Sequence, residues 1–124
     1  MKRFLLPTLL AVGLFLTVSG YGQEAVKVDR QFNIQLTESM LLQKSVQLDI
    51  SGLQFRDEAM AVKFFNAIEN NLVEYTVDFQ NKTAVMHLFP ERLGKHTWTL
   101  EQWNTYMNTA GTNSAETYKA FDNQ

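Results

Sequence analysis

Alternating hydrophobic and polar residues predict three β-strands in the middle of the chain. Residues 46–50 alternate in the way that is typical of a half-buried strand, and Gly52 follows them. Residues 73–80 form the longest alternation, and residues 83–89 repeat it until Pro90, which cannot donate to a sheet ladder. The last two runs are close enough in sequence to form a hairpin.

A tight turn at Asn81-Lys82 sets the expected register of this hairpin. One face of the two strands is then apolar and the other is mostly polar. The expected pairs on the apolar face are Tyr75 with Leu88, Val77 with Met86 and Phe79 with Ala84. Those on the polar face are Glu74 with Phe89, Thr76 with His87 and Asp78 with Val85.

A first helix is predicted between the first two strands. Asp57 is a suitable N-cap, and Glu58 places an anion in the first turn, where the helix dipole favours it. Apolar residues then recur along one helical face, at Met60, Ala61, Phe64, Phe65, Ala67, Ile68 and Leu72. We expect Asn70-Asn71 to end this helix in the left-handed conformation.

A second helix is predicted by the residues around Thr99. Thr99 and Gln102 match a capping box, and Trp98 and Trp103 have the spacing of a hydrophobic staple. Gly111 is a residue that commonly ends a helix, and we expect the helix to stop there. Beyond it, residues 116–121 either form a short last strand or fray.

The N-terminus has the pattern of a secretory signal peptide. Lys2 and Arg3 precede an apolar run, and small residues at Gly20 and Gly22 suit cleavage before Gln23. The apolar run is shorter than the roughly 20 residues that span a bilayer. We therefore expect an exported protein, periplasmic or secreted. Its expected parts are a signal peptide (1–22), a partly ordered leader (23–45), one domain (46–121) and a tail (122–124).

The leader has two local patterns. Residues 32–36 alternate like a short strand, whereas residues 37–44 start a helix at Thr37 or Ser39.

Composition narrows the classes of partner. Loss of Lys2 and Arg3 from a chain of net charge −2 leaves −4, and the sequence contains no basic cluster. A mildly acidic chain argues against nucleic acid and against anionic membrane surfaces as partners. Because the chain has no cysteine, a hydrophobic core rather than disulfides must stabilise the exported domain.

The order strand, helix, hairpin, helix is that of a ferredoxin-like βαββα(β) sandwich, an α+β fold in which two helices cover one face of an antiparallel sheet. Within this class, residues 46–121 resemble the heavy-metal-associated domain of copper chaperones and metal-transporting ATPases. Four short segments carry the resemblance: Asp49-Ile50-Ser51-Gly52-Leu53, Asn66-Ala67-Ile68, Asp78-Phe79 and Thr109-Ala110-Gly111.

The resemblance implies a ligand-binding loop without the family's metal ligands. In the family a Gly-Met pair leads into a Cys-x-x-Cys loop, whose thiolates bind Cu(I) or zinc. Here Gly52-Leu53 stands at the Gly-Met place, and Phe55 and Glu58 stand at the two cysteine positions. Leu53, Phe55 and Glu58 are therefore the candidate ligand-binding residues, and no bound cofactor is expected. Phe55 either plugs the loop against the core or presents an apolar surface to a partner.

The two histidines are the other candidates for chemistry. His87 falls on the polar face of the predicted sheet, where Asp49 or Thr76 is expected nearby. One imidazole and one carboxylate are too few for a closed metal site. His96 falls in a polar loop and is expected to be exposed. The sequence contains no cysteine nucleophile, glycine-rich phosphate loop or paired-histidine motif, so we do not expect an enzyme.

These observations favour an exported, non-catalytic module that binds a protein partner. The candidate surfaces are the Phe55 loop (residues 53–58) and the open sheet face, formed by Asp49, Glu74, Thr76, Asp78, Val85, His87 and Phe89. The alternative is a copper or zinc protein that uses His87 with nearby acids as non-thiolate ligands.

Overall fold

The computed structural model describes residues 25–122, which form an α+β fold around a four-stranded mixed sheet. The strands are β1 (Val26–Lys27), β2 (Ser45–Asp49), β3 (Val73–Asp78) and β4 (Thr83–Leu88), in the sheet order β1-β2-β4-β3. The helices are α1 (Glu38–Gln43), α2 (Glu58–Ala67) and α3 (Leu100–Asp122), with a 3-10 turn at Pro90–Leu93. The expected signal peptide lies outside the described residues. Among the described helices, none has the length and apolar content needed to cross a membrane.

The β3–β4 hairpin has a longer turn than the sequence predicts. Val77 pairs with Ala84 and Tyr75 with Met86, so the predicted register is wrong by two residues. The chain turns through residues 79–82, where the Asp78 carboxylate accepts two hydrogen bonds from Asn81. In the same turn, Lys82 takes a left-handed φ of 55°. Because the shift is an even number of residues, every strand side chain stays on its predicted face.

Helix α2 begins as predicted and ends earlier. The Asp57 carboxylate accepts a hydrogen bond from the Met60 N–H at 2.9 Å, which caps the helix. The expected left-handed end at Asn70-Asn71 is wrong, because α2 ends at Ala67 and Asn70 instead forms a β-bridge with Val73.

The leader is part of the packed core. Val28, Phe32, Ile34 and Leu36 are each at most 4% exposed, although residues 32–36 belong to no strand. The Asn104 side chain takes the place of a strand partner, since its Oδ1 accepts from the Leu36 N–H at 2.7 Å and its Nδ2 donates to the Leu36 carbonyl at 3.2 Å. The packed unit therefore begins before residue 46.

Helix α3 begins as predicted. The Gln102 N–H donates to Thr99 Oγ1 at 3.1 Å, and the Thr99 N–H donates to Gln102 Oε1 at 2.9 Å, which is the predicted capping box. The Trp98 and Trp103 rings contact each other edge to face, with centroids 5.2 Å apart.

The expected helix end at Gly111 is wrong, because α3 continues to Asp122. Residues 116–121 are consequently helical, and form neither a strand nor a frayed end. Gly111 is needed for packing instead: a methyl group at its Cα would overlap the carbonyl oxygen of Phe32.

Strand order and helix number differ from those of the expected ferredoxin-like sandwich. The edge position beside β2 is occupied by β1, which runs parallel to β2, and not by an antiparallel strand from the C-terminal segment. The sheet is thus mixed, and α1 is a third helix.

Candidate functional site

The Phe55 loop connects β2 to α2, and its first residue points into the core. Leu53 is only 5% exposed, and its N–H donates to the Ile50 carbonyl at 3.0 Å. The Asp49 carboxylate accepts a hydrogen bond from the Ser51 N–H at 2.9 Å. Hydrogen bonds from Ser51 hold the pKa of the Asp49 carboxyl below its usual range. Local hydrogen bonds therefore hold the loop entrance in one conformation.

A tyrosine from the far end of the chain closes the loop. The Tyr118 hydroxyl accepts a hydrogen bond from the Gln54 N–H at 2.8 Å and donates one to the Gln54 carbonyl at 3.4 Å. Tyr118 belongs to α3 and is 2% exposed, so the bond fixes the loop to a buried side chain. The Gln54 backbone is therefore not free to rearrange around a ligand unless its bonds to Tyr118 break.

The Phe55 ring packs into an aromatic cluster. Its centroid lies 5.4 Å from that of Phe64, 6.0 Å from that of Phe65 and 5.8 Å from that of Tyr118. These are normal separations for packed aromatic pairs. Phe55 is half-buried, and its remaining exposed part lines a small hollow of about 230 Å³.

The three candidate residues of the loop thus point in different directions. Leu53 is buried, Phe55 is half-buried against α2 and α3, and Glu58 is exposed in the first turn of α2. The structure places them in one loop, but it does not bring their side chains together into a site. Only Phe55 and Glu58 have surface that a partner can contact.

The open sheet face has no covering element among the described residues. The opposite face of the sheet packs into the core. Its residues Val46, Leu48, Ala84, Met86 and Leu88 are at most 2% exposed. Asp49, Glu74, Thr76, Asp78, Val85 and His87 point outward as predicted, and none of them is buried. Phe89 lies just after β4, where the Arg92 guanidinium carbon is 3.8 Å from its ring centroid.

His87 is close to only one of its two expected neighbours. Its Nε2 lies 2.9 Å from Thr76 Oγ1, which is a hydrogen bond between adjacent strands. Asp49 pairs with Thr83, whereas His87 pairs with Ser45, so the two lie at opposite ends of the β2–β4 ladder. The carboxylate of Glu74, which pairs with His87 on the other side, accepts a hydrogen bond from Arg92 at 3.1 Å. Residues 25–122 contain no group of three or more His, Cys, Asp or Glu side chains that could hold a metal ion.

A surface around Trp98 was not among the sequence candidates. Trp98 is half-buried and borders two hollows, of about 380 and 480 Å³. The first lies between α1 and the loop before α3, and His96 is on its rim. The second lies along the outer face of α3 and includes Tyr106. Gln102, Tyr106 and Thr109 recur at helical spacing, so the sequence places them on one face of α3. This face is different from the apolar face that the sequence predicts for α3.

Comparison with family models, curated proteins and solved structures finds no match for this chain.

Proposed function

We propose that this chain is an exported, non-catalytic module that binds a protein partner through its open sheet face. The closure of the Phe55 loop by Tyr118 is the observation that carries the proposal. The chain has no cysteine and therefore no thiolate at the place where the heavy-metal-associated domains hold their ion, and the Gln54 backbone there is already bonded to Tyr118. The sheet face is then the broad surface that remains for recognition.

We also propose a relationship to the ferredoxin-like heavy-metal-associated domains. The order β2–α2–β3–β4, with β4 lying between β2 and β3, is the split βαβ arrangement with which that fold begins. The departures lie at the sheet edge beside β2, in the additional helix α1 and in α3. Shared architecture supports common descent of the fold, and it carries no activity with it.

The charged residues of the open sheet face leave a small negative excess, which favours a basic partner. Asp49, Glu74 and Asp78 point outward from the face, and Lys27 is the basic residue that β1 adds opposite Asp49. Arg92 compensates Glu74 at the rim. Complementary charge accelerates encounter and suppresses wrong partners more than it raises affinity.

Site-specific photo-cross-linking in the native host tests the assigned surface. A photoreactive amino acid at Thr76 is expected to form a covalent protein adduct, whereas the same group at Glu58 in the Phe55 loop is not. Both positions are exposed, so the two variants place the photoreactive group on different surfaces with similar exposure to solvent. Adducts from Glu58 alone, or from neither position, would refute the assignment to the sheet face.

A charge change at Gln47 sharpens this experiment. Gln47 is exposed on β2 beside the acidic positions, and it makes no side-chain hydrogen bond within the described residues. Gln47→Lys is expected to reduce the adduct from Thr76, and Gln47→Glu is the matched control that keeps it. Equal adduct yields from both variants would contradict a basic partner.

Metal titration separates this proposal from the metal-handling alternative. Calorimetry of the purified protein with Cu(I), Cu(II) and Zn(II) is expected to show no stoichiometric, sub-micromolar binding. Such binding, abolished by His87→Ala, would replace the proposal with a metal-binding function.

Mass spectrometry of the native protein tests export: a mature chain beginning at Gln23 is expected, and a mature species containing Lys2 would contradict it.

A further inference from the structure

The outer face of α3 carries a shallow depression of about 480 Å³. Trp98, Glu101, Gln102, Thr105, Tyr106 and Thr109 line it. The five helical residues are spaced so that they form one stripe along the first turns of α3. At 1.5 Å per residue the stripe is about 12 Å long, which suits an elongated ligand lying along the helix.

The apolar part of this lining is entirely aromatic. The Trp98 and Tyr106 ring centroids are 5.3 Å apart, and Trp98 also packs edge to face on the buried Trp103. These contacts hold the indole in place before any ligand arrives. The neighbouring hollow of about 380 Å³ also includes Trp98 and Trp103, but much of its apolar lining is aliphatic, from Leu41, Leu42, Leu93 and Pro90. Aliphatic ligands and amphipathic helices fit this neighbouring hollow better than they fit the depression on the outer face of α3.

The polar part of the lining offers both acceptors and donors. The Glu101 carboxylate forms no ion pair within the described residues. The Thr105 and Thr109 hydroxyls donate to helix carbonyls, so their oxygens remain available as acceptors. Gln102 uses its carbonyl in the capping box, which leaves its amide NH₂ to donate.

We propose that this depression binds a neutral oligosaccharide, with one sugar ring stacked on Trp98. The C–H face of a pyranose ring is apolar and packs on an aromatic ring, while its hydroxyls both donate and accept hydrogen bonds. The lining supplies both kinds of group. Its only charged residue is Glu101, so acidic sugars and phosphate-bearing ligands are disfavoured. The site is separate from the open sheet face, and its test is independent of the function proposed above.

Titration with neutral hexasaccharides tests the proposal. The probes are chitohexaose, cellohexaose and laminarihexaose. Their binding is measured by tryptophan fluorescence and by calorimetry. Saturable binding of at least one of them is expected. Trp98→Ala is expected to weaken that binding by about tenfold or more, and Trp98→Phe by less, because a phenyl ring still offers a stacking face. Leu42→Ala is the matched control on the neighbouring hollow, and it is expected to bind like the parent.

A second variant keeps the test decisive if Trp98→Ala disturbs the fold. Thr105→Val preserves side-chain shape and removes the acceptor, so binding is expected to weaken about two- to tenfold. Thr117→Val, on another face of α3 and with the same intrahelical bond, is its control. The proposal is overturned if the folded parent binds none of the three probes. It is equally overturned if Thr105→Val and a folded Trp98→Ala both bind as the parent does.

Discussion

The start of α3 and its second half are stabilised by different kinds of contact. At the start, the capping box of Thr99 with Gln102 and the Trp98–Trp103 pair join residues at most five positions apart, and Asn104 just after them adds a bond to the distant Leu36. In the second half, Gly111 lies against Phe32, and Tyr118 binds Gln54, which is 64 positions away. The start of this helix is therefore a local property, whereas its length is a tertiary one.

The composition of the second half shows why local signals do not predict its length. Residues 111–117 are mainly Gly, Thr, Asn and Ser, which are poor helix formers. The hydroxyls of Thr112 and Thr117 donate to the carbonyls of Asn108 and Asn113, at 3.1 and 3.0 Å. Such residues remain helical when burial of one face compensates for their low propensity. Gly111, Ser114 and Tyr118 form that buried face.

The largest expected effect lies in the first half. Trp103→Ala removes a side chain that is 2% exposed and packs against Trp98 and Tyr106. We expect the free energy of unfolding to fall by about 3–5 kcal/mol, since large-to-small changes at buried aromatic positions cost this much. Urea titration monitored by circular dichroism measures it. A loss well below 1 kcal/mol would mean that Trp103 does not anchor α3.

Gly111→Ala tests the second half directly. The new methyl group overlaps the Phe32 carbonyl oxygen, a backbone atom that cannot rotate away, so we expect overpacking to cost about 3 kcal/mol, the upper end of its usual range, against about 1 kcal/mol gained in helix propensity. We expect a net destabilisation of about 2 kcal/mol in thermal and urea unfolding. Asn113→Ala is the matched control: it is exposed in the same half, and we expect it to be slightly stabilising. If both variants are stabilising, packing against Phe32 does not require glycine.

Tyr118→Phe removes the bond between the second half and the Phe55 loop while keeping the ring. The Gln54 N–H and carbonyl then lose their partner, and we expect a cost of about 1.5 kcal/mol, because Gln54 is partly accessible to water. Amide hydrogen exchange at Gln54 is expected to accelerate, while the amides in the first half of α3 are unchanged. Unchanged exchange at Gln54 would show that the loop is held by Phe55 alone.

The smallest effect is expected at the cap. Thr99→Ala removes the acceptor of the Gln102 N–H and should cost about 1 kcal/mol. Thr99→Ser retains the hydroxyl and is the control, expected to stay close to the parent. A Thr99→Ala cost as large as that of Trp103→Ala would mean that α3 depends on its cap more than on its packing, which would reverse the comparison between the two halves.

The strands around the Phe55 loop are predictable from local sequence, whereas the packing of the loop depends on distant residues. The positions of Leu53, Phe55 and Glu58 in one loop could be predicted, because a strand ends before Leu53 and the N-cap Asp57 precedes Glu58. The choice between a plugged and an exposed Phe55 could not, because the rings of Phe64 and Tyr118 that half-bury it come from elements outside the loop.

The sequence by itself determined strands β2, β3 and β4, their buried faces and the starts of α2 and α3. Side-chain alternation is a period of two residues, and a cap is a hydrogen bond across three, so both are complete within a short window. Even the hairpin error of two residues preserved the faces, since only an odd shift exchanges them.

Only the tertiary structure decided the edge strand β1, the length of α3 and the closure of the Phe55 loop. Each of these depends on contacts between residues far apart along the chain: Val28 with Asp49, Gly111 with Phe32, and Gln54 with Tyr118. A buried backbone group must be paired, but the sequence near it does not specify which distant residue will supply the partner.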